Sequence, residues 1–459
     1  MIVRQQLTRI INAVRQRHII AFIFITSALL FSFGNIYDSD EGTILNGAWK
    51  MFQGNHLYTD FFAFVAPGSY ILTLSSFYLF GPHYFSARIL SIFVLALSLY
   101  AVYTIGVLLG GRRVATFATA LWMICSFIPA VVINYNPLSS YLASIATLLL
   151  IMALKKKSAL FFACSGLVFG GVTVFLQTKG IILGLGFFIF LSVYMIRRII
   201  TPRHMIVFIT SFALLPLSLI WYWGAPFLYQ LFIEWPLRHY PTVNHVSSIP
   251  WFVLLIASVA FMYGIWRHSK QDNKDIIIIL ITAHLCLFFS IINRPDIGHI
   301  LWSSFAVLLL ASYVIHAYTK SLSPATRDTM FIDIPLMVVL SFSIAFAINS
   351  IHVQRAFKKT VEKLSITSIY AHPFLPELYF ELGVPDPYPY DILLSHMYSY
   401  DAFNANLRIL TKEKPEYIFL NYTLASKFNY QKEYPLDDYI SNNYHPIGNF
   451  EFMLIMKRK

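Results

Sequence analysis

Residues 67–81 read PGSYILTLSSFYLFG, and the fold turns on whether this stretch crosses a membrane. Between its proline and glycine ends it makes a helix of only about 20 Å, against a hydrocarbon core of about 30 Å. Working outward, eleven other stretches have the length and apolarity of a span: 19–37, 84–109, 114–133, 138–154, 159–176, 181–196, 205–223, 251–266, 276–292, 300–318 and 331–348. With 67–81 left out, the loops between them alternate in charge. One side carries the basic amino-terminal segment, Arg112 and Arg113, Lys155 to Lys157, Arg197, Arg198 and Arg203; the other carries only Lys50, Arg88, Lys179, Arg238 and Arg294. The positive-inside rule assigns the first side to the cytoplasm. A crossing at 67–81 would invert every later loop and turn Lys155 to Lys157 outward, so the stretch reads as a juxtamembrane helix on the outer face.

Composition agrees. Of 459 residues, 57% are hydrophobic and 12% charged, against roughly 45–50% and about 25% in soluble domains, which excludes a soluble protein. The net charge of +12 lies largely in the cytoplasmic turns, so it reflects topology and gives no reason to expect nucleic acid. Cys125, Cys164 and Cys286 all fall inside apolar runs, so no disulfide framework is implied. The basic start MIVRQQLTRIINAVRQRH precedes an apolar run with no small-residue cleavage site, which reads as an uncleaved first span. The sequon Asn421-Tyr422-Thr423 reads as a chance match.

After residue 348 the chain turns polar, with Pro and Tyr clusters such as GVPDPYPYD. By the same parity this segment lies outside the cytoplasm. SITSIYAHP, PEYIFLNY and FEFMLIMKR have strand character and DAFNANLRILTKE helix character. The expected organisation is an all-α polytopic domain over 1–348, its first outer loop at 38–83, followed by a small extracytoplasmic α/β domain over 349–459.

The outer loops DSDEG (38–42), NYNPLSS (134–140), QTKG (177–180), the long segment 224–250 and NRPDIGH (293–299) gather acids and isolated cations at one membrane face. Charges at that depth are paired or functional. Structural readings stand beside the functional one. Asp40 suits the N-cap of a helix over 41–52, with Glu41 in its first turn. Lys179 and Arg294 could be snorkelling interfacial anchors, and His284 and His299 satisfied core histidines. His239, His245 and Glu234 have no spacing that marks a metal site.

The segment DEGTILNGAWKMFQGNHLYTDFFAFVAPGSYILTLSSFYLFGPHYFSARIL resembles the first outer loop of the GT-C glycosyltransferases. More narrowly, it is similar to the group of protein O-mannosyltransferases and the lipid A aminoarabinose transferase. The matching features are the acidic pair Asp40-Glu41, then Gly54, Tyr58 and Asp60, the proline-led helix at Pro67-Gly68, and Ala87-Arg88-Ile89 entering the next span. GRRVATFATALWM, QTKG and RPDIGH look like the family's later turns. NYNP departs from the pattern, placing Asn136 where relatives often have Asp.

The resemblance implies a GT-C fold and transfer of a sugar from a polyprenyl-phosphate donor, with inversion, to a lipid, glycan or protein acceptor of the cell envelope. It implies Asp40 as base, with Glu41 and Asp38 supporting it. The donor phosphate falls to Lys179, Arg294, Arg88 and Arg238; orienting roles fall to Asp60, Tyr58, Asn136, Asp296 and His299. No metal or other cofactor is indicated, although a divalent ion is possible. The expected location is a bacterial inner membrane, with the amino terminus cytoplasmic and the C-terminal domain periplasmic. Two alternatives remain open: a flippase or transporter for a lipid-linked glycan, and a glycan ligase or polymerase.

Overall fold

In the computed structural model, residues 20–30, 33, 39–128, 132–239, 249–292, 294–361, 364, 366–395, 398–426, 429–450 and 453–459 are described. The first half of the chain runs as α1 (Ile20–Leu30), α2 (Ser39–Phe52), α3 (Gly68–Phe80), α4 (Tyr84–Gly110), α5 (Arg112–Phe127), α6 (Tyr135–Lys156), α7 (Ala159–Phe175), α8 (Gln177–Ile196) and α9 (Pro202–Tyr229). A π-helical turn, Gln230–His239, continues α9. Then come α10 (Ile249–His268), α11 (Gln271–Ser290), α12 (Ile297–Trp302), α13 (Phe305–Tyr318), α14 (Pro324–Asp328) and α15 (Ile334–Val361).

Each of the eleven expected spans falls on helix in its described part. Among the described residues, seven helices are long and apolar enough to cross a bilayer: α4, α6, α8, α9, α10, α11 and the one that includes α15. The other four expected spans lie on α1, α5, α7 and the pair α12–α13. That pair is interrupted at Ser303 and Ser304, and the Ser304 hydroxyl donates 2.6 Å to the Leu301 carbonyl. The break leaves a short leg, α12, packed against α5 and α6, instead of one continuous span.

Helices α7 and α9 pack backbone to backbone. A Cβ on Gly166 or Gly170 would collide with the carbonyls of Phe208 or Phe212, the close approach that small residues permit between membrane helices. Helix α3 does not thread the bundle. A Cβ on Gly68 would fall 2.7 Å from the Val174 carbonyl oxygen, so α3 starts against the end of α7 and leads to the start of α4. At 13 residues it is too short to cross a bilayer.

Helix α15 runs on to Val361, past position 348, and delivers the chain to a four-stranded sheet. The strands are β1 (Ile369–His372), β2 (Tyr417–Leu420), β3 (Tyr444–Phe450) and β4 (Met453–Arg458), in the order β1-β2-β4-β3. β1 and β2 are parallel, with Ile369 opposite Tyr417, and the other two pairings are antiparallel. Parallel strands need a crossover, and the amphipathic helix α17 (Tyr400–Glu413) supplies most of it, after the short α16 (Glu377–Glu381). β3 had no strand signal in the sequence because it contains Pro446 and Gly448. It is an edge strand with a register irregularity between those two residues, where a missing N–H is tolerated.

The molecule has two large cores. One is the membrane bundle. The other is shared: Ile44, Leu45 and Ala48 of α2 and Leu57 and Phe61 of the first loop pack with Leu375, Leu378, Leu393 and Phe419 of the C-terminal domain. The sheet domain therefore sits on the same face as the first loop, called the site face below.

Candidate active site

Three loops on the site face bring five of the expected residues into one hydrogen-bonded chain. Helix α6 starts at Tyr135 behind an N-cap, Asn134, whose side chain accepts from the Asn136 backbone N–H at 2.7 Å. This turn aims the Asn136 carbonyl at the start of α8, where Lys179 Nζ donates to it at 3.0 Å and to Ser140 Oγ at 2.9 Å. Asn136 and Ser140 are one helical turn apart, so one face of α6 presents both acceptors.

On its other side, Asn136 Nδ2 lies 3.1 Å from His299 Nε2. His299 Nδ1 lies 2.7 Å from Asp296 Oδ1, and the His299 backbone N–H donates to the same oxygen at 3.0 Å. Asp296 is the N-cap of α12, and its second oxygen accepts from Arg294 Nε at 3.0 Å. An Nδ1–H suits the contact with Asp296, and the ring's other nitrogen faces the Asn136 amide. Burial disfavours the Asp296 carboxylate, but the hydrogen bonds and charge of His299, then the charge of Arg294, outweigh it. They hold its pKa at about 2.

The environment of Lys179 is unusual. The side chain is 1% exposed, both its acceptors are neutral, and among the described residues no carboxylate is within salt-bridge distance of it. Further buried polar atoms on the neighbouring segments lack a partner among the described residues: Asn134 Nδ2, Gln177 Oε1, Thr173 Oγ1 and Ser69 Oγ. Thr173 and Gln177 flank the α7–α8 junction, and Ser69 follows the Gly68 that abuts it.

The first loop divides its charges. Helix α2 begins at Ser39, so Asp40 stands in the first turn instead of capping it. Its side chain is half-buried, and no hydrogen bond or ion pair from the described residues reaches its carboxylate. Glu41 is buried and doubly engaged: Arg88 Nε of α4 donates to Oε1 at 2.6 Å, and the Val132 backbone N–H donates to Oε2 at 3.0 Å. Arg88 is fully buried, also donates to Tyr84 Oη at 2.9 Å, and lies 4.4 Å from the Tyr84 ring centre. Glu41 and Arg88 thus tie α2 to α4 and to the loop before α6.

Tyr58 and Asp60 shape the loop itself. The Tyr58 hydroxyl donates to the Val65 carbonyl at 2.8 Å, and Asp60 accepts from the His56 backbone N–H at 2.7 Å. Gln230 clamps the same loop from the π-helical turn, donating to the Tyr58 carbonyl at 2.9 Å and accepting from Ala63 N–H at 3.1 Å. Asp38, the side chain of Arg238 and His245 lie outside the described residues. Among the described residues, no group of three His, Cys, Asp or Glu side chains is placed to hold a metal ion.

Sequence reasoning missed the partners of Lys50. Its ammonium meets Asp386 Oδ2 at 2.9 Å, the Asp391 carboxylate, and the Tyr388 carbonyl at 2.6 Å. Beside it Asn46 Nδ2 donates to Asp386 Oδ2 at 2.6 Å, and Trp49 Nε1 donates to the Val384 carbonyl at 3.2 Å. The GVPDPYPYD segment is therefore the plug that seats the C-terminal domain on α2. Its Pro and Tyr density was the available signal.

Neither a protein-family model nor a curated protein matches the chain in sequence. Solved structures match it in shape. ArnT from Cupriavidus metallidurans bound to undecaprenyl phosphate superposes with a TM-score of 0.64 at 10% identity, over 97% of both chains. The apo state of the same protein gives 0.63 at 11% identity, over 98% of both chains. At such identities the likeness establishes the fold: the chain shares the architecture of these structures over nearly its whole length.

Proposed function

We propose that the protein is a membrane glycosyltransferase that moves a sugar from a polyprenyl-phosphate carrier to an acceptor hydroxyl, with inversion at the anomeric carbon. The observation that carries this reading is Lys179. A buried ammonium without a counter-charge is costly, and the cost is removed when an anion enters beside it. The vacant polar atoms on the neighbouring segments offer hydrogen bonds to a ligand rich in oxygen. A phosphate ester of a sugar is both anionic and rich in oxygen, and the ArnT structure of the same fold holds undecaprenyl phosphate.

In this mechanism the acceptor oxygen attacks the anomeric carbon from the face opposite the phosphate. As the C–O bond to phosphate breaks, its electron pair stays on the phosphate. Lys179 offsets the growing charge there, as a preorganised cation does most effectively in a dry site. Asp40, whose carboxylate is engaged by none of the described residues, takes the proton from the acceptor hydroxyl. Glu41 and Arg88 hold α2, and so Asp40, in register. The Asp296–His299–Asn136 chain fixes the carbonyl to which Lys179 is bound, and Arg294, half-exposed, faces the incoming headgroup. The alternation of loop charge favours an extracytoplasmic site.

The test compares envelope glycans by mass spectrometry in strains with the intact gene, no gene, or only the Asp40→Asn form at matched expression. The same sugar is expected to be missing in the second strain and reduced about 100-fold or more in the third, the scale of a lost general base. Full transfer by Asp40→Asn would move the base elsewhere. An unaltered glycan profile in the deletion strain would sink the transferase reading.

A further inference from the structure

The transfer reading leaves the acceptor class open, and an aromatic wall beside the site narrows it. Six rings from four segments are in contact: Phe62 and Phe64 of the first loop, Tyr135 at the start of α6, Trp235 after α9, and Tyr390 and Tyr398 of the C-terminal domain. Phe64 stacks on Trp235 with ring centres 4.4 Å apart and meets Tyr135 edge-on at 6.1 Å. Phe62 lies 5.7 Å from Tyr390 and 5.6 Å from Tyr398, which is 6.1 Å from Trp235.

Burial separates this wall from the glue of the same domain junction. Tyr70, Phe77 and Tyr379 are sealed at 1%, 1% and 2% exposure. Phe62, Tyr135, Trp235 and Tyr390 instead keep part of their surface open, backed by the buried Phe64 and Tyr398. Tyr135 opens α6 one residue before Asn136, so this end of the wall reaches the helical turn that holds Lys179. Glu234, next to Trp235, stands at its rim, where its charge acts on Tyr390 and Tyr398. We propose that this wall binds the pyranose rings of a glycan acceptor, an inference that rests on the transferase reading above.

The chemistry of the wall fits that ligand. One face of a pyranose presents weakly positive C–H groups, which suit the negative faces of aromatic rings. The ring's hydroxyls project sideways, toward carboxylate and amide acceptors and donors. An acyl chain has no such anisotropy and gains nothing from the rim. The wall lies where the first loop meets the sheet domain, at the start of α6 and in the turn after α9.

The experiment titrates the full-length protein with water-soluble oligosaccharides released from the cell envelope by mild acid, and separately with polyprenyl phosphate. Saturable oligosaccharide binding is expected. Trp235→Ala weakens it about tenfold, the upper range for one aromatic contact, and Trp235→Phe restores it. Polyprenyl-phosphate binding is unchanged in both variants, which also reports that they are folded. Tyr135→Ala is expected to act like Trp235→Ala. Two results overturn the inference while leaving the donor reading intact: oligosaccharides that do not bind a protein that binds polyprenyl phosphate, and a peptide or lipid acceptor whose binding, instead, depends on Trp235. Oligosaccharide binding with no polyprenyl-phosphate binding does the reverse: it keeps the wall as a glycan site and removes the donor assignment.

Discussion

Lys50 and Lys179 are both sealed from solvent on the same face, at 2% and 1% exposure, yet their surroundings differ in kind. Lys50 meets two carboxylates and a carbonyl. Burial alone would pull its pKa down, but Asp386 and Asp391 outweigh that and hold it above its ordinary value. Lys179 meets a carbonyl and a hydroxyl. One lysine is over-compensated and the other uncompensated. An ammonium with a surplus of acid is a fastening; an ammonium with none is a place for an anion to arrive. The same residue type, equally buried, is read by what neutralises it.

The sharpest way to break this contrast is to remove each charge in turn. Lys50→Met strands two buried carboxylates and is expected to cost about 3–5 kcal/mol, seen in thermal unfolding and in faster proteolysis of the C-terminal domain. If stability is untouched, Lys50 is no fastening. Lys179→Met removes a charge that nothing neutralises, so stability stays level or rises, while transfer falls about 100- to 1,000-fold. A protein that unfolds readily on losing Lys179 would make that lysine structural and collapse the distinction.

A smaller effect sharpens the first half of the comparison. Burial raises the Asp391 pKa, Lys50 opposes this, and the nearby Asp386 carboxylate adds to the rise. The native state therefore holds a proton that the unfolded chain has already released. Stability contributed by this group is present at low pH and lost as pH rises toward neutrality. Asp391→Asn is expected to flatten that slope between about pH 4 and 7 in melting temperatures of the purified protein. A slope unchanged by the substitution would assign it to another group.

The sequence disclosed what depends on local composition. Apolar runs located the helices, and the short stretch 67–81 folds as a 13-residue helix whose start packs on the end of α7. Lys179, Asn136, Asp296, His299 and Arg294 were legible as a group because short loops between helices of one bundle have little room to diverge. The pairings of Glu41 with Arg88 and of Lys50 with Asp386 were not legible, since nothing local to either partner encodes the other. Reading Arg88 as a phosphate ligand followed from its position alone; its full burial against Glu41 shows a side chain already committed. The break at Ser303 and Ser304 was hidden for a different reason. Hydropathy continues across it, while the Ser304 hydroxyl competes with the helix for the Leu301 carbonyl.

Asn46 and Asp386, joined by one hydrogen bond, are 340 positions apart in the chain. At ordinary synthesis rates the ribosome needs roughly 20–70 s to make the intervening residues. For that interval α2 has left the bilayer with Lys50 uncompensated and Ile44, Leu45 and Ala48 uncovered. The first loop is thus completed late, only once residues 383–391 have been made and folded against it. Until then it keeps an open apolar face and a bare lysine. In that sense the C-terminal domain is a clasp that closes the first loop after the helices between them have been built.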